Sequence, residues 1–373
     1  MKIALVHDYL IRFGGAERVF LSLKKIFPQA EIYTLLYDQE KMGEYFSNIK
    51  VQTSFLQKFP KFWRKRQKYL LPFIPMAVET IDLRDFDLVI SSSNSFIKGI
   101  ITRPHTIHIS YCHSPMRFGW DAYVGYLQDQ RKGFLTKIAI RLMMHYIRLW
   151  DRSAANRVDY FMANSKTTAQ RIKKYYGRQA KVIYPPVNVS PESNSPRPSS
   201  TKEYFLIVSQ LTPYKRIDLA IDAFNKLELP LVIIGEGRDK KRLQKMARSN
   251  VKFLGWQSDE AVRQYFQSCA AFIFPGEDDF GIAPVEAMSF SKPVLAYRKG
   301  GATETILEGI TGEFFDDPAT ESLADGIRRL RLNLNNYSPL VIKKRAEKFS
   351  QERFEREIKE FVIEVVEKSK KES

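Results

Sequence analysis

Cysteine is scarce in this chain: among 373 residues only Cys112 and Cys269 occur, in different halves. A secreted protein of this size more often carries a set of bridges, so a reducing, cytoplasmic setting is expected. Long apolar runs are missing as well. The opening "MKIALVHDYL" has four consecutive apolar residues before His7 and Asp8, too few for a signal peptide, and no run approaches the roughly 20 residues that cross a bilayer. Acids are under-represented, 42 against 59 lysines and arginines, for a formal net charge of +17. Such a surplus attracts nucleic acid, anionic lipid and phosphorylated small molecules alike, and charge alone does not choose among them. Material for cores is plentiful. With 44% hydrophobic and 13% aromatic residues the composition excludes global disorder. The length suits two domains, because single cores stop growing at about 250 to 300 residues.

Short β-rich runs recur, each followed by helical periodicity. The first half has "KIALVH", "EIYTLLY", "DLVISSS", "IHISYCH", "DYFMANS" and "KVIYPP"; the second has "YFLIVSQL", "LPLVIIGEG", "VKFLGW", "AAFIFPG" and "PVLAYRKG". Strands apolar on both faces and alternating with helices predict parallel sheets covered on two sides, an α/β architecture built twice. Between the halves, "SPESNSPRPSS" at 190–200 contains three prolines and no large apolar side chain, the composition of a linker. The expected domains are therefore 1–189 and 201–350. A final helix at 351–373 places Phe354, Ile358, Phe361, Val362 and Val365 on one stripe that needs an apolar surface. Ligands of doubly wound sheets sit at the carboxyl ends of strands, so a cleft between the two domains is the expected site.

Several stretches are candidates for chemistry, each with a plain structural alternative. Gly14 and Gly15 fall between the first strand and first helix, where backbone can approach a phosphate, or they form a simple turn. "GEGRDK" lacks the third glycine of a dinucleotide fingerprint because Lys240 stands there. His105, His108, Cys112 and His113 suggest a metal site only weakly, since a period of two puts His108 and Cys112 on one strand face and His113 on the other. His113 ends that strand at its carboxyl edge and is either a site residue or a satisfied structural histidine. Lys215 and Arg216 sit at a helix start, where cations are unfavourable unless something anionic binds, or are solvated. In "GEDDFGIAPVEAM" the acids precede a helix whose first turn suits Pro284, leaving free N–H groups near Gly281, Ile282 and Ala283. Glu286 lies one turn in, either as a dipole-favoured carboxylate or as a binder of hydroxyls.

From Gln57 to Glu79 six cations precede the first acid. A continuous helix would put Lys61, Arg64, Lys65 and Lys68 on one face and Phe59, Phe62 and Trp63 on another, as in a helix lying on an anionic membrane, or in a basic surface helix packed by its aromatics. No helix-turn-helix, RNA-recognition or zinc-finger signature accompanies the charge, so a nucleic-acid partner is not expected.

Taken together, "GGAERV", "YCHSPMRFGW", "ANSKTTAQRI", "IYPPVN", "SQLTPYKRIDLAIDAF", "GEDDFGIAPVEAMSFSKPVLAYRKGGATET" and "TGEFF" resemble the retaining nucleotide-sugar glycosyltransferases of the GT-B fold, family 4, and their mannosyltransferase-like branch of polysaccharide and glycolipid assembly enzymes. The resemblance spans nearly the whole chain. It implies two Rossmann-like domains facing across a cleft, acceptor on the first and sugar nucleotide on the second, with the last helix crossing back to the first. It implies that His113 lies at the donor sugar, Lys215 neutralises the leaving diphosphate, Asp278 grips sugar hydroxyls and Glu286 holds the ribose. The turn Phe280–Gly281 with Ile282 and Ala283 would offer N–H groups to the phosphates, and Gly14 and Gly15 would close on them. Trp256 is a candidate wall for the base. The implied activity is transfer of a hexose from a UDP- or GDP-linked donor to a glycan or lipid-linked acceptor at the inner membrane face, with no metal cofactor. Two positions depart from the family pattern. Gln210 replaces an arginine, leaving Arg216 to substitute, and Asp278 replaces a glutamate; both departures raise the alternative of a sugar-nucleotide-binding protein without transfer activity.

Overall fold

The structure, a computed structural model, describes residues 1–47, 49–121, 133–189 and 204–372. The linker expected at 190–200 lies outside these residues. The chain divides into two compact units, one made of Met1–Tyr184 with Glu355–Ser373, the other of Pro185–Phe354.

The first unit is built on β1 (Ile3–Leu10), β2 (Glu31–Tyr37), β3 (Val51–Thr53), β4 (Leu88–Ser93), β5 (Ile107–Cys112), β6 (Tyr160–Ala163) and β7 (Ala180–Val182). They form one sheet in the order β3-β2-β1-β4-β5-β6-β7. The second unit carries β8 (Phe205–Val208), β9 (Leu231–Ile234), β10 (Val251–Gly255), β11 (Ala271–Phe274), β12 (Val294–Tyr297) and β13 (Gly312–Phe315) in the order β10-β9-β8-β11-β12-β13. Every strand pair is parallel. The apolar runs of the sequence are these strands, buried on both faces as parallel packing requires: β4 is buried throughout and β1 in all but one residue. The two strands that the apolar runs did not announce, β3 and β13, are short and lie at sheet edges, where half-exposed or glycine-led sequences suffice.

In each sheet the strand order reverses once, between β1 and β4 and between β8 and β11. The loops leaving the two strands on either side of such a reversal diverge, opening a crevice at the carboxyl ends. In the first unit those loops are the Gly14–Gly15 turn and the segment after Ser93; in the second they carry Lys215 and Asp278.

The closing helix Gln351–Glu372 buries Phe354, Ile358, Val362 and Val365, with the Phe361 ring edge-on to Tyr160 of the first unit. The basic aromatic segment departs from expectation. It is not one helix but a single turn, Lys61–Arg64, followed by 3-10 turns at Gln67–Tyr69 and Leu71–Phe73. Lys61, Arg64 and Lys65 share that one turn, where Lys65 N–H donates to the Lys61 carbonyl at 3.0 Å, but Lys68 lies in the following 3-10 turn, so the expected face of four cations does not form. Pro60, Pro72 and Pro75 exclude a continuous helix through the segment. No helix among the described residues is long and apolar enough to cross a membrane.

Candidate functional site

In the first unit four side chains, from β1, β4, the first helix and the residue that follows β5, form a buried relay. Glu17, in the first helix Gly15–Ile26, accepts from His7 of β1 at 3.4 Å between Oε1 and Nε2. His7 Nδ1 lies 3.0 Å from Ser92 Oγ, and Ser92 Oγ lies 2.8 Å from His113 Nε2. His7 and Ser92 are completely buried, and Glu17 and His113 are each 8% exposed. For a neutral His7 beside an ionised Glu17, which can only accept, the ring carries its proton on Nε2 and accepts at Nδ1. The single Ser92 proton then goes to His7, and Ser92 accepts from His113 Nε2–H. His113 is thereby held as the tautomer with a free lone pair on Nδ1, which has no partner among the described residues. Burial, aided by His7, pushes the His113 pKa down to about 3, so the ring is neutral at physiological pH.

Gly14 completes this arrangement. Its backbone is extended, and a Cβ there would sit 3.0 Å from Glu17 Oε2, so the glycine leaves room for the carboxylate at the head of the relay. Nearby, the buried Asp8 carboxylate accepts four backbone N–H groups, from Asn94, Ser95, Phe96 and Ile97, at 2.5 to 2.9 Å. Asp8 thus fills the turn after β4 and pins it to β1 at the strand reversal.

The remaining candidates of the first unit are structural. His108 is buried between Ser91 Oγ at 2.8 Å and the Arg157 carbonyl at 3.4 Å, and burial lowers its pKa to about 4. The buried Cys112 thiol is pushed up to about 12, and His105 is exposed. Among the described residues no three His, Cys, Asp or Glu side chains are grouped as a metal site would need.

In the second unit Lys215 and Asp278, 63 residues apart, form a direct ion pair at the carboxyl ends of β8 and β11. Their side chains are only 15% and 20% exposed, so solvent screens the pair weakly. The Lys215 ammonium also stands 5.3 Å from the Tyr214 ring centre and 5.9 Å from that of Phe274. Three glycines permit this convergence. A Cβ on Gly276 would fall 2.8 Å from the Lys215 Cα, one on Gly300 2.2 Å from the Asp278 carbonyl oxygen, and one on Gly301 2.3 Å from the Phe280 Cα. Gly301 N–H also donates to the Asp278 carbonyl at 2.9 Å.

Behind the acids, Gly281 adopts φ 84° and opens the helix Ile282–Ser289. Ile282 and Ala283 occupy its first two positions, where N–H groups have no helical acceptor, and Pro284 has none to satisfy. Glu286 is half-buried in the next turn, while the Phe280 ring is buried against Phe349 at 5.6 Å. Arg216 sits at φ 51° as the residue before helix Ile217–Leu227, with Nε 3.5 Å from Asp218. Gln210 is exposed at the end of β8. Trp256, 76% exposed, follows β10, two strands from β8 and hence roughly 10 Å from the reversal.

Comparison with known proteins decides what this arrangement belongs to. The profile of Glycosyltransferase Family 4 matches residues 13–191, and that of Glycosyl transferases group 1 matches residues 190–349. The chain is a family 4-like glycosyltransferase of the GT-B fold. The glycosyltransferase is 26% identical to an uncharacterized glycosyltransferase of Methanocaldococcus jannaschii over 84% of this chain and 83% of the relative. It is 25% identical to the alpha-1,3/1,6-mannosyltransferase ALG2 of Mus musculus over 95% of this chain and 94% of that protein. The crystal structure of Anabaena HepE in complex with UDP-glucose shares its fold, with TM-score 0.67, 18% identity and coverage of 98% and 100%.

Of the residues that the sequence singles out in the glycosyltransferase, the structure brings Lys215, Asp278 and the Gly281–Ala283 turn together on one sheet edge. It places His113 and Gly14 on a shared network in the first unit. His7, Glu17 and Ser92 were not anticipated. Glu17 lies inside the quoted "GGAERV", but nothing in a linear pattern says that its carboxylate meets a histidine ten residues earlier.

Proposed function

We propose that this glycosyltransferase moves a hexosyl group from a nucleotide diphosphate sugar, of the GDP-mannose or UDP-glucose type, to a glycan or lipid-linked acceptor, with retention at the anomeric carbon and no metal ion. The observation that carries the proposal is the Lys215–Asp278 pair at the strand reversal of the second sheet, beside the open N-terminus of Ile282–Ser289. The mannosyltransferase relative and the UDP-glucose complex of a structural neighbour support the substrate class.

In this reaction the bond from C1 of the sugar to the diphosphate oxygen breaks and its electron pair leaves on the nucleoside diphosphate. The acceptor hydroxyl oxygen bonds to C1 on the face just vacated, and its proton passes to the departing phosphate oxygen. Negative charge builds on the diphosphate, where the Lys215 ammonium and the N–H groups of Ile282 and Ala283 stabilise it without reorganisation. Lys215 has three donors, so it can keep Asp278 oriented while donating to phosphate. Asp278 then accepts from sugar hydroxyls and Glu286 from the ribose. In the first unit the neutral His113 has an Nδ1 lone pair suited to a sugar hydroxyl, and Gly14 and Gly15 have backbone suited to a phosphate; in the second, the exposed Trp256 ring is suited to stacking on a base.

Incubation with a panel of UDP- and GDP-sugars, following nucleotide release, tests the proposal. Turnover is expected with at least one donor, undiminished by EDTA and reduced roughly a hundredfold in kcat by Lys215→Ala. Folded protein that releases nucleotide from no donor refutes transfer, and loss of turnover with EDTA refutes the metal-free mechanism.

A further inference from the structure

The helix Phe134–Ala154 is amphipathic in an unusual sense, since it has two apolar faces. One is spent on the core: Met144, Ile147 and Ala154 are buried, and Met143 and Trp150 pack against the main hydrophobic cluster of the first unit. The other faces outward. Phe134 is 76% exposed, Leu135 80%, Leu142 67% and Leu149 60%, with Ile138 and Tyr146 also exposed. At about 100° per residue these six fall within an arc of roughly 120°, opposite the buried one, and the stripe runs for about 22 Å. Lys137, Arg141, Arg148 and Arg152 flank one side of it. The only acid of the helix, Asp151, is turned inward and completely buried, held by Lys98, by Trp120 Nε1 at 2.8 Å and by the Tyr176 hydroxyl at 2.9 Å.

A second exposed aromatic group covers the same core. Phe59 and Phe73 pack into the cluster that receives Met143 and Trp150, while Phe62, Trp63 and Tyr69 remain exposed. Arg66 stands over the Phe62 ring at 4.5 Å and Lys68 over Tyr69 at 5.1 Å. Trp150 Nε1 donates to Glu79 at 2.9 Å, tying the helix to the segment that these aromatics lead into.

We infer that this face of the first unit docks on an anionic lipid bilayer, with helix Phe134–Ala154 lying in the interfacial plane and its outer stripe among the acyl chains. Charge selects this occupant. An arc of mostly apolar residues, with the exposed His145 and Ser153 among them and cations of the same helix along one side, complements anionic headgroups. A second copy of the chain pairing through the same face would set Lys137, Arg141 and Arg148 against their own kind. Lys137 and Arg141, one turn apart beside the stripe, also make the helix unsuited to crossing the membrane. The inference rests on the surface of the first unit and is independent of the donor chemistry.

The test uses the full chain and sedimentation with vesicles of phosphatidylcholine alone or mixed with phosphatidylglycerol. Binding is expected to the mixed vesicles, roughly a hundredfold weaker after Leu135→Ser, Leu142→Ser and Leu149→Ser together, and about tenfold weaker after Lys137→Gln with Arg141→Gln. Because Cys112 and Cys269 are both buried, Leu142→Cys accepts a polarity-sensitive thiol dye selectively, and its emission should shift to the blue on mixed vesicles. Unchanged binding of the triple variant, or binding of the labelled protein without a shift, overturns the inference. So does a wild-type dimer that the triple variant converts to monomer, which would make the face an interface between copies.

Discussion

Replacing Ser92 by alanine should unlock the His113 tautomer. The Ser92 hydroxyl joins two rings by hydrogen bonds, donating to His7 Nδ1 at 3.0 Å and accepting from His113 Nε2 at 2.8 Å in the arrangement derived above, while the rings also meet edge-on with centres 6.4 Å apart. Both rings are buried, so the variant strands one donor and one acceptor away from water. An unsatisfied buried polar group costs about 1–3 kcal/mol, and stability should fall by that order or somewhat more. The His113 proton is then free to move to Nδ1, which removes the lone pair proposed to accept a sugar hydroxyl. Losing one neutral hydrogen bond of about 0.5–1.5 kcal/mol lowers kcat/KM roughly three- to tenfold. The chain has only five histidines, so nitrogen-15 spectra of histidine-labelled protein can be assigned by single substitutions. In the wild type His113 should show a protonated Nε2 and an unprotonated Nδ1 at neutral pH, and in Ser92→Ala a mixture. A wild-type His113 protonated at Nδ1, or a Ser92→Ala spectrum identical to wild type, would refute the relay.

Glu286→Gln should weaken donor binding by roughly ten- to a hundredfold if the carboxylate accepts from ribose hydroxyls, because charge-assisted hydrogen bonds are worth about 1.5–3 kcal/mol; calorimetry with UDP and GDP measures it, and unchanged affinity removes that role. Gly300→Ala places a Cβ 2.2 Å from the Asp278 carbonyl at φ 65°. It should cost on the order of 1–3 kcal/mol in denaturant unfolding, and a neutral effect would show that the acid loop is not held as described. Acid should destabilise the fold between about pH 6.5 and 4. Folded His108 and His113 titrate near 4 and 3, so below pH 6.5 the unfolded chain binds protons that the folded chain refuses. Each contributes a loss of about 1.4 kcal/mol per pH unit as pH falls, and the contribution is complete above 6.5. His108→Asn, which can keep a hydrogen bond to Ser91, should roughly halve that slope; an unaltered slope would refute the assignment.

Much of this architecture is readable from short-range pattern. Runs such as "DLVISSS" and "AAFIFPG" are apolar on successive residues because parallel strands are covered on both faces, and each became a strand. The stripe of Phe354, Ile358, Val362 and Val365 likewise marks a buried helix face. The basic segment misled because its spacing matches a helix while its three prolines forbid one, and the proline chemistry prevailed. Helix Phe134–Ala154 carries two apolar arcs, and only packing shows that the core takes the one with Met144 and Ile147 and leaves the other exposed.

The candidate site divides along the same line. Residue types at strand ends and helix starts, such as Lys215, Asp278 and the turn at Gly281, are local features written in order along the chain. That Lys215 meets Asp278, that Glu17 reaches Ser92 through His7, and that Gly276 and Gly300 exist to let backbones touch depends on which strands are neighbours. Strand order places β8 beside β11 and β1 beside β4 although two strands intervene in sequence, and that order is settled by how the helices pack on both faces. Composition and periodicity dictate the elements and the chemistry each carries; adjacency, and with it the pairing of charges and the protonation of a buried ring, arises only when the sheets close.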